Sequence, residues 1–124
     1  MTSPRPLHVE VISGSLTDTG LRRRVNEDAH LASFPVFIVA DGMGGHEAGD
    51  LASTAVVEVF RALVGRDDLT VEDVSRAVDA AHSAVGSIAA TTSRGAGSTL
   101  AAVLAIVWEG APRWLIVAGT AVAA

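Results

Sequence analysis

The sequence predicts one small α+β domain in which strands precede and follow a pair of long helices. Three observations predict it: about half of the 124 residues are apolar, strand-like segments lie near both ends, and two segments with helical periodicity lie between them. Strands and helices that are grouped rather than alternating are typical of this class and not of a βαβ fold. A chain of this length has room for a single domain, so residues 1–124 form one unit.

The first predicted elements are two strands joined by a polar loop. Residues 8–13 alternate and carry β-branched side chains, which indicates a strand. Residues 14–28 are rich in Gly, Thr, Asp and Arg, which is typical of a loop that carries function. Residues 36–40 form a continuous apolar run, which favours a strand buried on both faces. Three glycines in residues 41–45 then predict a turn that a ligand could approach closely.

Two helices are predicted next. Apolar residues recur at helical spacing over residues 47–63, and Gly65 is placed to end this helix as a C-cap. Thr70 is a good N-cap for the second helix, because Asp73 follows three residues later in a variant of the capping box. The apolar stripe of the second helix consists of Val71, Val74, Ala77, Val78, Ala81, Val85 and Ile88.

Two further strands are predicted at the end of the chain. They cover residues 98–108 and 113–117, with a break before them at residues 93–97 and a turn at residues 110–112. The apolar stretches are shorter than the roughly 20 residues that span a bilayer, and residues 1–5 contain no apolar signal segment. We therefore expect a soluble, cytoplasmic protein with no membrane partner.

The composition excludes several classes of function. The chain has no cysteine, which excludes disulfide scaffolds, thiolate zinc sites and cysteine-based phosphatases, and fits a reducing cytoplasm. Its net charge is −5, which argues against a nucleic-acid partner. The one basic cluster, residues 22–24, is too small to form a binding groove, and by itself it would be a solvated loop.

Polar residues in two places could bind a metal ion. Asp41 and Gly42 follow the predicted buried strand, so a carboxylate and an accessible backbone carbonyl lie together; such hard oxygen ligands suit Mg²⁺ or Mn²⁺. Glu27 and Asp28 are adjacent acids in the polar loop, and a cation would offset their repulsion. Arg23 could bind a phosphate dianion through two hydrogen bonds. Taken singly, the Asp-Gly pair and the adjacent acids favour an ordinary solvated turn over a metal site, and Arg23 could equally be a solvated side chain.

Three segments form a recognisable set in sequence order. They are TDTGLRRRVNEDA at residues 17–29, FIVADGMGGHEAG at residues 37–49 and GAGSTL at residues 95–100. Together they resemble the motifs of the PP2C (PPM) family of metal-dependent protein serine/threonine phosphatases, in its bacterial form. The resemblance covers about residues 14–117 and implies an αββα sandwich of two antiparallel sheets flanked by helices, with the metal ions at one end. The two helices of this chain would cover one of the sheets.

The resemblance implies a role for each candidate residue. Asp41 would bridge two Mn²⁺ or Mg²⁺ ions, and the Gly42 carbonyl and Glu27 would complete the second ion's ligands. Asp28 would hold metal-bound waters, and Arg23 would bind the substrate phosphate. The implied reaction is attack of a metal-activated water on a phosphoserine or phosphothreonine of a phosphoprotein, the product of a serine/threonine kinase. Residues 95–99 would let a strand approach the metal loop.

The sequence also departs from the family. Met43 stands where some members have a histidine that could act as general acid, so water would protonate the leaving group. The family supplies two more aspartates for the first metal from its C-terminal region, whereas this chain has no acid after Glu109. We therefore expect an incomplete first metal site, a truncated chain and little turnover. Where the family usually has Gly-Asp-Ser-Arg, residues 119–124 read GTAVAA, which either a one-base frameshift or a drift of the tail to small residues would explain.

Two alternatives to an active phosphatase stay open at the level of the sequence. The chain could be a catalytically inactive remnant that pairs with a partner through an exposed sheet edge. It could also be a small binding module unrelated to the family, with Asp41 and Glu27 as plain turn residues.

Overall fold

The structure is a computed structural model that describes residues 11–16, 28–44 and 47–123. Within these residues the chain forms a four-stranded antiparallel sheet in the order β1-β2-β3-β4 and two helices. The strands are β1 (Asp28–Ser33), β2 (Val36–Gly44), β3 (Ala96–Trp108) and β4 (Ala111–Ala123), and the helices are α1 (Ala48–Arg61) and α2 (Val71–Ala89). The predicted α+β class is therefore confirmed, with both helices inserted between β2 and β3.

Both helices pack on the same face of the sheet, as the family resemblance implies. α1 contacts β1, β2 and β3, while α2 contacts β3, β4 and α1. The largest fully buried side chain is Phe60 of α1, and Leu104 of β3 is equally inaccessible. The core of this helix-covered face also includes Val36, Ile38, Ala40, Val56, Leu69, Val74, Val85 and Ala102.

The opposite side of the sheet, here called the open face, is apolar but largely exposed. It consists of the odd-numbered residues of β2 and β3 and the residues paired with them on β1 and β4. Val39 is 55% exposed and Ile116 is 77% exposed, while the rings of Phe37 and Trp114 meet edge to face at 6.2 Å between centroids. The prediction that residues 36–40 are buried on both faces is wrong, because both described helices lie on one side.

The start of α2 has the predicted capping box. Thr70 Oγ1 accepts a hydrogen bond from Asp73 N–H at 3.2 Å, and Asp73 Oδ2 accepts one from Thr70 N–H at 3.0 Å. Arg66 and Arg76 also donate to the Asp73 carboxylate. The pKa of Asp73 lies below its ordinary value, chiefly because of the Thr70 N–H and then because of the Thr70 hydroxyl and the two arginines.

The end of α1 differs slightly from the prediction. The helix ends at Arg61 with Ala62 as its C-cap, so Gly65 lies in the following connection instead of capping the helix. Gly65 N–H donates to Phe34 O at 3.0 Å, and Val107 N–H donates to Leu69 O at 2.8 Å. These two bonds fix the connection between the helices to one end of the sheet. None of the described helices is long and apolar enough to cross a membrane.

The N-terminal strand predictions need correction. The strand predicted over residues 8–13 lies partly outside the described residues, and the part that is described, residues 11–13, forms no strand. Ile12 there is 89% exposed, so the alternating pattern does not correspond to a buried face. The sequence pattern does not predict β1, because its acidic first residue makes it look like the end of a polar loop.

The turn at the end of the chain is also displaced. Glu109 and Gly110 connect β3 to β4 with φ values of 51° and 74°, the pattern of a two-residue hairpin turn. Ala111 and Pro112, predicted to be in the turn, already belong to β4. Pro112 is tolerated there because β4 lies at an edge of the described sheet.

Candidate functional site

Asp28 and Asp41 are paired with each other across neighbouring strands. Asp28 opens β1 and Asp41 lies near the end of β2, and the two are direct partners in the antiparallel register. Directly opposed residues project from the same face of a sheet, with Cβ atoms about 4.5–5.5 Å apart. Asp41 is one of the odd-numbered residues of β2, so both side chains belong to the open face. Asp28 is half-buried and Asp41 is exposed.

Asp41 and Gly42 lie within a strand and not in the predicted turn. β2 continues to Gly44, and Gly42 is paired with Ser98 of β3. The Asp41 carboxylate is therefore attached to a paired strand, which holds a ligand more rigidly than a loop does. The prediction that Asp41 and Gly42 sit in a glycine turn is wrong, because β2 continues through both residues as far as Gly44.

Close packing is most evident at Gly44. A Cβ atom at this position would lie 3.1 Å from Ala48 Cβ, 3.2 Å from Gly49 N and 3.3 Å from Gly95 O, and the φ of Gly44 is +147°. The strand end thus passes between the first turn of α1 and the start of β3. Met43 and Gly44 pair with Gly97 and Ala96, so residues 95–99 do bring β3 alongside the Asp41 segment.

Thr99, to which the sequence patterns give no separate role, forms a hydrogen bond with the backbone of Asp41. Asp41 N–H donates to Thr99 Oγ1 at 2.9 Å, a contact between residues 58 apart in sequence. The preceding residue, Ser98, is buried, and its hydroxyl donates to Thr99 O at 2.8 Å. The adjacent Ser-Thr pair in the third motif could have suggested such contacts, because hydroxyl side chains often bond to nearby backbone groups.

Two predicted site residues cannot be placed. Arg23 and Glu27 lie outside the described residues, as do Gly45 and His46. Within the described ranges, no group of three or more His, Asp or Glu residues is close enough to hold a metal ion. Asp28, Asp41 and the Gly42 carbonyl are nevertheless hard oxygen donors of the kind that Mg²⁺ and Mn²⁺ prefer, since these ions usually keep several waters and need few carboxylates.

A cleft elsewhere in the described structure is a weaker candidate for the site. It has a volume of about 170 Å³ and lies on the helix-covered side, opposite the two aspartates. Its lining is mainly apolar, with Val56, Val78, Ala81, Leu100 and Val117 among the lining residues. A catalytic site needs converging polar groups, which the aspartate end of the open face provides better.

The known proteins to which this chain is similar are bacterial serine/threonine phosphatases. No protein-family model matches the chain. The serine/threonine protein phosphatase PstP of Mycobacterium tuberculosis is 40% identical over 94 residues, which cover 71% of this chain and 18% of that protein. The PPM Ser-Thr phosphatase MsPP from Mycobacterium smegmatis, solved in complex with cacodylate, matches with a TM-score of 0.71 at 30% identity, over 83% of this chain and 43% of its own.

A third comparison concerns metal binding. The catalytic domain of PstP, solved in complex with two manganese ions, matches with a TM-score of 0.61 at 34% identity, over 70% of this chain and 40% of its own. The chain therefore spans about a fifth of the curated relative and about two fifths of the solved structures.

Proposed function

Because this chain is similar in sequence and fold to part of the bacterial PPM-type serine/threonine phosphatases, we propose that it contributes the Asp28–Asp41 end of a metal-dependent phosphatase site. The observation that carries the proposal is the direct pairing of Asp28 with Asp41 on the open face, next to the Gly42 carbonyl. Residues 1–124 form one partial domain in this proposal, and a cytoplasmic location fits the cysteine-free composition.

The proposed metal ligands are Asp41, the Gly42 carbonyl and Glu27, with Asp28 accepting hydrogen bonds from waters of the site. Two Mn²⁺ or Mg²⁺ ions, when bound, would supply a water activated for attack on phosphorus near neutral pH. The chemistry of the donor set supports this assignment, and the relative with two manganese ions agrees with it. Arg23 would orient the phosphate, because a guanidinium can donate two parallel hydrogen bonds to it.

The proposed substrate is a phosphoserine or phosphothreonine side chain of a phosphoprotein that a serine/threonine kinase has modified. The names of the relatives support this substrate class. We expect little turnover from the 124 residues alone, because Asp41 would be the main carboxylate of the first metal. Members of the family that the chain resembles use two further aspartates for that metal, and no acidic residue follows Glu109 in these 124 residues.

A second candidate function is binding without catalysis. β4 is a 13-residue strand at an edge of the described sheet, and an edge strand can pair with another chain. An inactive domain could therefore bind a partner through β4 while retaining the family's fold.

One experiment separates these functions. Mn²⁺ binding to the 124-residue chain would be measured by titration calorimetry, and Mn²⁺-dependent release of phosphate from a phosphothreonine peptide would be followed in parallel. We expect Mn²⁺ binding that Asp41→Asn abolishes and that Asp79→Asn, an exposed change on α2, leaves intact. Hydrolysis, however slow, that is lost in the Asp41 variant would support the enzyme, and Mn²⁺ binding with no detectable hydrolysis would support the inactive domain. If neither metal binding nor hydrolysis depends on Asp41, the proposed function is wrong.

A further inference from the structure

We propose that Thr99 is a positioning residue for Asp41, and that Ser98 acts with it. This inference rests on the proposed function, because it concerns how the metal-binding carboxylate is held. Its basis is the hydrogen-bond pattern where β2 meets β3. There, two hydroxyl groups replace one backbone hydrogen bond of the sheet.

The first step concerns which opposed residues of β2 and β3 are hydrogen-bonded pairs. Ala105 N–H donates to Pro35 O at 3.0 Å, which marks these opposed residues as a hydrogen-bonded position. Such positions recur at every second residue of an antiparallel pair. Asp41 and Thr99 stand six residues further along each strand, so they also occupy a hydrogen-bonded position. In a regular ladder Asp41 N–H would donate to Thr99 O.

The second step is that the expected hydrogen bond from Asp41 N–H to Thr99 O is replaced by other hydrogen bonds. The pairing of β2 with β3 includes Val39 with Ala101 and resumes at Gly42 with Ser98 in the same register, but it is interrupted between them. At this interruption Asp41 N–H donates to Thr99 Oγ1 instead. Thr99 O, which would have accepted that N–H, accepts the Ser98 hydroxyl. Both backbone groups therefore keep a partner, and neither carries the cost of an unmade bond.

The third step is the consequence for the carboxylate. Thr99 is one of the odd-numbered residues of β3, so its side chain belongs to the open face, the same face as the Asp41 carboxylate. A donor directed to Thr99 Oγ1 turns the peptide before Asp41 out of the plane of the ladder and toward that face. Local departures from regular pairing are a known way to re-aim a side chain beside a functional site. The Thr99 hydroxyl thus fixes the backbone from which the proposed metal ligand projects.

The test compares Thr99→Val, which removes the hydroxyl at nearly constant shape, with Thr99→Ser, which retains it. Thr120→Val is the matched control, because Thr120 is the direct partner of Thr99 on β4 and lies on the same face. Amide hydrogen exchange of Asp41 would be measured by NMR in the 124-residue chain, without metal. We expect exchange to accelerate roughly fivefold to tenfold in Thr99→Val, the effect of losing one hydrogen bond. We expect no change in Thr99→Ser or Thr120→Val.

The second measurement is the Mn²⁺ dissociation constant of the same variants by titration calorimetry, with Asp41→Asn as reference. We expect Thr99→Val to weaken Mn²⁺ binding roughly tenfold, as loss of a partner that orients a ligand does, and Thr99→Ser to restore it. Unchanged Asp41 exchange in Thr99→Val would overturn the inference. Faster Asp41 exchange in Thr99→Val with unchanged Mn²⁺ affinity would also overturn the inference. If Asp41→Asn loses the metal in that case, the proposed function still stands. Mn²⁺ binding that is indifferent to Asp41→Asn would overturn both.

Discussion

Leu104 and Val103 are neighbours on β3, yet Leu104 is fully buried and Val103 is 37% exposed. The helices lie over the face to which Leu104 belongs, while Val103 belongs to the open face. The two faces are both rich in aliphatic side chains, so apolar composition does not distinguish them. What distinguishes them is the cover that α1 and α2 provide. One face therefore stabilises the sheet, and the other carries two carboxylates whose positions the first face makes rigid.

The largest expected difference between the faces is in stability. Leu104→Ala should lower the free energy of unfolding by about 2–5 kcal/mol, because it removes buried atoms and leaves a cavity under the helices. Val103→Ala, one residue away on the open face, should cost less than about 1 kcal/mol, because its side chain is already partly hydrated. Urea unfolding monitored by circular dichroism measures both. Equal losses would contradict the assignment of the two faces.

The next largest effect is expected where the end of β2 packs against the first turn of α1. Gly44→Ala should destabilise the chain by about 1–3 kcal/mol, because the added Cβ meets Ala48 and a backbone already held at positive φ. Gly86→Ala in α2 is the matched control. No heavy atom lies within 4 Å of a Cβ built there, and alanine should stabilise a helix interior by about 0.5–1 kcal/mol. The melting temperatures of the two variants should therefore move in opposite directions.

A smaller, pH-dependent effect is expected at the start of α2. The folded pKa of Asp73 is depressed, so its contribution to stability is present above the ordinary carboxyl pKa of about 3.9 and is lost as the pH falls through the folded value. Asp73→Asn should therefore be less stable than the wild type at pH 7, and the difference should shrink at pH 3. Urea midpoints at the two pH values measure it. Asp79→Asn, exposed on the same helix, should show no comparable difference.

The smallest expected effect is on the open face. Ile116→Thr should change the free energy of unfolding by no more than about 0.5 kcal/mol, because the side chain is 77% exposed. Thermal unfolding in dilute solution checks it. A large loss of stability would mean that the open face is covered in solution, and concentration-dependent melting would then identify the cover as a second copy of the chain.

Sequence patterns predict some parts of this fold better than others. α2 and its capping box are predicted correctly, because Thr70, Asp73 and the apolar stripe act within a few residues of one another. β1 and the length of β2 are missed, because their stability depends on partners that local patterns do not identify. The one-sided burial of residues 36–40 depends on where the helices dock, which an apolar run cannot specify.

The candidate site shows the same limit. The resemblance singles out Asp28, Asp41 and Gly42, and the structure brings the first two into direct register. No pattern within a single segment could predict that Thr99 accepts the Asp41 N–H, because that contact depends on the register between β2 and β3. The roles of Arg23 and Glu27 stay predictions, since both residues lie outside the described part of the chain.

The insertion of both helices between β2 and β3 also has a consequence for the order of folding. β1–β2 and β3–β4 are hairpins whose pairing closes short loops, whereas joining β2 to β3 closes a connection of about fifty residues and has a larger entropic cost. We expect Asp28 and Asp41 to meet in an early hairpin, and the Asp41 N–H to be protected only when the later pairing forms. Pulse-labelled hydrogen exchange during refolding should show this delay. The acidic pair would then exist, for a brief kinetic interval, on a strand that is not yet held in its final orientation.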